Sequence, residues 1–141
     1  MRTQSLATVF VAAVLLAACA TRYIPPLQSE FHDIPVPKEL VYRADQSVII
    51  ESETIRSARL LYRGRMEPGS LVVTLQSGLE ENGWRLVRSS YFPKEGTTQL
   101  YQKGEASLQV RIWEGGIFDA FTYLELSGSR PTQSAKAAST S

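Results

Sequence analysis

The chain of 141 residues holds one cysteine and one histidine. A single cysteine excludes an internal disulfide framework and a cysteine-rich metal knuckle. A single histidine excludes a multi-histidine metal site. Neither sign of charge is in excess, with 15 Lys and Arg against 14 Asp and Glu, so no global field draws in nucleic acid and no such partner is expected. Phosphate-cradling glycine patterns are missing; Gly115-Gly116 stands alone and reads as a turn. The serines come without a second histidine or a Gly-x-Ser-x-Gly elbow, so the signature of an acyl-transfer triad is missing. Glu51 and Glu53 share a strand face but read as surface charge, and His32 beside Asp33 reads as a solvated linker residue. The expectation is a non-enzymatic protein with no metal and no cofactor.

What is present begins at the N-terminus. Arg2 is followed by an uncharged run from Leu6 to Ala18, with small residues before Cys19. This is the layout of a secretory signal over residues 1–18. A helix over that run spans about 20 Å, against a bilayer core of about 30 Å, so a permanent transmembrane helix is not expected. The sequence Leu16-Ala17-Ala18-Cys19 resembles the lipobox of bacterial lipoproteins. The resemblance implies a diacylglycerol on the Cys19 thiol, cleavage before it and acylation of the new amino terminus. Only a thiolate is nucleophilic enough for such a thioether. Ala20, where an Asp would be a retention signal, is similar to lipoproteins passed to the outer membrane. Loss of Arg2 leaves 14 basic against 14 acidic residues, so the lipid and not charge would anchor the protein.

Residues 19–36 contain Pro25, Pro26 and Pro35 and read as a lipidated, extended tether. Residues 128–141 are small and polar, and read as a disordered tail. Residues 37–127 carry the periodic patterns of one globular domain, in a chain 43% hydrophobic and 21% charged. Val48–Glu53 and Ala58–Arg65 alternate as a hairpin. Pro68 then opens a helix of about fifteen residues whose stripe is Leu71, Val72, Leu75 and Leu79, and Asn82-Gly83 stops it. Strands follow at Trp84–Ser89, Thr97–Gln102, Leu108–Trp113 and Phe121–Ser127. The order ββαββββ with short loops predicts an α+β fold, a mostly antiparallel sheet covered on one face by a single amphipathic helix.

Three segments, Ile34–Glu39, Arg59–Gly64 and Asn82–Val87, resemble a family of short proteobacterial envelope lipoproteins, each pairing a lipobox with one small domain. The resemblance spans roughly residues 34 to 113. It implies a cell-envelope lipoprotein with its domain in the periplasm, and transfers no catalytic residue.

With Ala58, Leu60 and Tyr62 facing the core, alternation turns Arg59, Arg63 and Arg65 outward, and likewise Arg85, Arg111 and Trp113, with Tyr123 and Glu125 beside them. Arginine forks and exposed aromatics suit an anionic lipid, a glycan or an acidic protein patch of the envelope. The same charges are also explained by cross-strand pairing of Glu51 and Glu53 with Arg59 and Arg63. Two functions are therefore expected: an accessory or interaction module held at the membrane through Cys19, or a carrier of an anionic lipid or glycan.

Overall fold

The structure is a computed structural model and describes residues 32–132. The signal segment, Cys19, most of the expected tether and the chain after residue 132 lie outside the described residues. The elements are β1 (Leu40–Tyr42), β2 (Val48–Glu51), β3 (Ile55–Gly64), α1 (Pro68–Glu81), β4 (Arg85–Phe92), β5 (Gly96–Lys103), β6 (Ala106–Glu114) and β7 (Thr122–Pro131). They form one antiparallel sheet in the order β1-β3-β7-β6-β5-β4, with β2 also paired to β3. This is the expected α+β fold.

β1 and β2 act as one interrupted edge strand. Both run antiparallel to β3, but the register slips by three residues between Tyr42↔Tyr62 and Val48↔Arg59. A 3-10 turn, Ala44–Gln46, takes up the surplus. Ser47 bridges the gap: its hydroxyl donates to the Arg43 carbonyl at 2.7 Å and accepts from the Leu61 amide at 3.0 Å. The Leu61 carbonyl accepts from the Arg43 amide at 2.8 Å, so both backbone groups of Leu61 are paired at the break.

Glu67 caps α1. Its carboxylate accepts from the amides of Gly69 at 2.8 Å and Ser70 at 2.6 Å, and these bonds hold it below the usual carboxylate range. Pro68 takes the first helical position, and Gly83, at φ 82°, ends the segment in the left-handed conformation. Because β3 and β4 are parallel and at different places in the sheet, α1 crosses one sheet face to join them. Leu71, Leu75 and Leu79 point down onto that face and are fully buried. Under them lie Leu60 and Tyr62 of β3, Leu124 and Leu126 of β7, Leu108, Val110 and Ile112 of β6, and Tyr101 of β5. Each such aliphatic side chain contributes about 1.5–3 kcal/mol by burial.

One polar chain runs through this core. The Tyr101 hydroxyl donates to Gln99 Oε1 at 3.0 Å, Gln99 Nε2 to Gln76 Oε1 at 3.4 Å, and Gln76 Nε2 to Glu80 Oε1 at 3.0 Å. Buried Gln99 is thus linked through the helix to a solvated carboxylate.

Two expected boundaries are corrected. The tether was expected to reach residue 36, yet Ile34 is buried in the core and Asp33 binds three side chains of the domain. Pro35 packs against Gly78 of α1, where a Cβ would collide with the proline ring. The disordered tail was expected from residue 128, yet Gly128–Pro131 are the last part of β7, paired to β3 throughout. Their side chains show no apolar pattern, but β3 pairs with all four residues and β6 with Gly128 and Ser129, so the neighbouring strands order them. Thr132 extends the tie: its amide donates to the Thr54 carbonyl at 3.0 Å. β1 is a further strand that its three residues gave no pattern to reveal.

Candidate functional site

The sheet face away from α1 carries no second layer among the described residues. Register sets its side chains in rows. Arg63, Tyr123 and Trp113 form one row, Leu61, Glu125 and Arg111 the next, and Arg59, Ser127, Gln109 and Leu100 a third. Ser57, Ser129, Ser107 and Gln102 form a fourth. Alternation thus puts Arg59, Arg63, Arg111 and Trp113 on one surface, as the sequence predicts.

The arginines are not equivalent. Arg59 donates from Nε to Glu125 at 2.8 Å, and Glu125 is 15% exposed and sits directly opposite Arg111. The Arg63 guanidinium lies 3.8 Å over the Phe121 ring, and Arg65, beyond the end of β3, lies 5.1 Å from the same ring. Arg111 lies 5.1 Å over Trp113, whose ring stacks on Tyr123 at 5.4 Å and 10°. The Tyr123 hydroxyl donates to Asp119, and that bond raises its pKa. Arg85 stands apart at the far edge, donating to Gln102 at 3.4 Å.

The expected pairing of Glu51 and Glu53 with Arg59 and Arg63 does not form. Glu51 lies opposite Arg56 and pairs with it at 3.4 Å. The chain leaves β2 after Glu51, so Glu53 lies in the turn and shares no strand face with it. Arg59 finds its carboxylate on β7 instead. His32 is exposed at the start of the described chain, at the mouth of a cleft shared with Ile34, Leu60 and Tyr62.

Two features of the face escape the alternation argument. A bulge between Leu86 and Arg88 shifts β4 by one residue, so Arg88 lies opposite Leu100 on the open face although Leu86 lies opposite buried Tyr101. The second is a groove of ≈ 540 Å³ floored by Ser57, Ser107, Ser127, Gly128 and Ser129. Val48, Ile50 and Leu100 rise from it as apolar rims, each more than a third exposed, with Arg59 and Gln109 beside them. Small residues at alternate positions of β7 make the concavity; the signal was the Ser127-Gly128-Ser129 spacing.

Chemically, the face offers hydroxyl, amide and guanidinium donors between apolar rims. That combination suits an amphiphilic or anionic partner. Among the described residues no group of three His, Cys, Asp or Glu is placed to hold a metal ion. Also among them, no helix is long and apolar enough to cross a membrane. Comparison with protein-family models, with curated proteins and with solved structures finds no match.

Proposed function

We propose that this is a lipid-anchored cell-envelope protein, tethered through Cys19 to the outer membrane with its domain in the periplasm, and that it works as a non-enzymatic accessory or interaction module. The observation that carries the proposal is the open sheet face, where the serine-floored groove and the Arg–aromatic rows adjoin. An antiparallel sheet tolerates one solvated face. Val48 and Ile50 on one rim and Leu100 on the other are a different matter, because exposed apolar side chains set around a concavity with polar groups on its floor are the make-up of a binding site.

The anchor is tested by membrane fractionation of Cys19→Ala. The protein is expected to move from the membrane to the soluble envelope fraction, and an unchanged distribution contradicts the anchor.

A second reading, a carrier of an anionic lipid or glycan, is favoured by the row of Arg63, Tyr123, Trp113 and the adjoining Arg111. It predicts salt-sensitive ligand binding that Arg63→Ala combined with Arg111→Ala abolishes. Binding indifferent to both changes contradicts it.

A further inference from the structure

The β6–β7 connection, Gly115–Phe121, carries two apolar side chains with nothing among the described residues packed on them. Ile117 is 99% exposed and Phe118 102% exposed, more than any other large apolar residue described. Their exposure is held by the loop's own bonds. The Gly115 amide donates to the Phe121 carbonyl at 2.8 Å and the Asp119 amide to the Gly116 carbonyl at 2.7 Å. Asp119 is further tied to Tyr123 by the hydroxyl bond described above. The tip is thus a short apolar wedge on a fixed base.

What surrounds that base has its own chemistry. Phe121 closes the loop with the guanidinium groups of Arg63 and Arg65 against its ring, and the Trp113–Tyr123 stack lies two residues further into the sheet. Apolar side chains at the tip, indole and phenol behind them, and cations at the same level follow the depth order of a bilayer interface. Rings with a polar edge settle at the headgroups, and arginine pairs with lipid phosphate. We propose that the Ile117-Phe118 tip inserts into the surface of a bilayer containing anionic lipid, with Arg63 and Arg65 against the headgroup phosphates.

The reach of the chain permits this on the membrane that holds the anchor. The described chain enters beside Arg130, at the end of β7 opposite the loop. Ten residues of β7 span about 33 Å. The chain from Cys19 to Asp33 can extend to roughly 45 Å, enough to pass the length of the sheet. The loop chemistry itself does not depend on the anchor or on the groove.

The test uses the full chain, purified from membranes and reconstituted in vesicles, with bimane attached at Phe118→Cys or, as control, at Val73→Cys on the exposed side of α1. Wild-type protein labelled in parallel corrects for any label on Cys19. Vesicles of phosphatidylcholine are compared with vesicles also containing phosphatidylglycerol, each with brominated acyl chains as quencher. The expected result is loss of fluorescence at position 118 and not at 73, greater with phosphatidylglycerol and reduced by Arg65→Glu. Equal quenching at the two positions overturns the proposal and leaves a protein as the occupant of the tip. Quenching at 118 that ignores phosphatidylglycerol overturns the assigned role of the arginines.

Discussion

The carboxylate of Asp33 accepts a hydrogen bond from the guanidinium of Arg130, 97 positions along the chain, and so ties the start of the described chain to its last strand. The same carboxylate accepts from Lys103 Nζ and Trp84 Nε1, both at 3.1 Å, and Lys103 and Arg130 also flank the Trp84 ring. Burial pushes the Asp33 pKa up, but the hydrogen bonds and charges of Arg130 and Lys103 outweigh it, and the carboxyl lies below the usual aspartate range. In the folded protein Asp33 therefore holds its proton less well than in the unfolded chain. Its contribution is fully present above an ordinary aspartate pKa of about 3.9 and is lost as pH falls through the folded value. Asp33→Asn is predicted to cost about 1.5–3 kcal/mol at neutral pH and to flatten the acid limb of the stability curve, checked by urea unfolding against pH. A variant as stable and as acid-sensitive as wild type contradicts this.

Gly78 is where Pro35 meets the helix. On an isolated helix, replacing glycine would add up to about 1 kcal/mol. Here the new Cβ meets the proline ring, and overpacking costs about 1–3 kcal/mol. Gly78→Val is expected to be net destabilising and to expose residues 33–36 to proteolysis; thermal unfolding with limited digestion measures both.

Tyr101 and Tyr62 have their pKa values pushed up to about 12, chiefly by burial, with Glu80 adding to the first and Tyr42 to the second. A raised folded pKa means stability present below an ordinary tyrosine value of about 10 and lost as pH rises through about 12. Tyr101→Phe removes one late-ionising phenol from an alkaline absorbance titration. It also strips Gln99 Oε1 of the donor it has in the core, at a cost of about 1–3 kcal/mol.

Glu125 neutralises the middle of the basic face through its pair with Arg59. Arg59 is 58% exposed, so solvent screens the pair to about 0.2–1 kcal/mol, and Glu125→Gln, which keeps the side chain's size, should change stability little. Its expected effect is on binding: elution from a heparin column at higher salt than wild type. Unchanged elution means the arginines do not act together as an anion-binding face.

The helix was legible because its signals are local: Pro68 at the start, a four-residue leucine spacing and Asn82-Gly83 at the stop. Six strands were legible from alternation. β1 was not, because its three residues owe their conformation to the edge of β3 and not to their own pattern. Gly128–Pro131 were misread for the same reason, since Ser127-Gly128-Ser129 resembles a linker until β3 and β6 flank it. The outward arginines followed from period two, but their partners did not. Arg59 pairs across to β7 and Arg63 caps a ring in a loop, and both depend on strand order, which no local pattern encodes. Arg88 was missed because one bulge residue inverts every later position of β4.

The central claim is that the open face receives a partner while the protein is anchored. It is tested most directly by a photo-crosslinking residue at Gln109, in the groove, in cells producing the full chain, with the same probe at Val73 and with Cys19→Ala as controls. The account predicts a discrete adduct from position 109 of the anchored protein, none from position 73 and loss of the adduct in Cys19→Ala. No adduct at 109, or the same adducts at both positions, would contradict it.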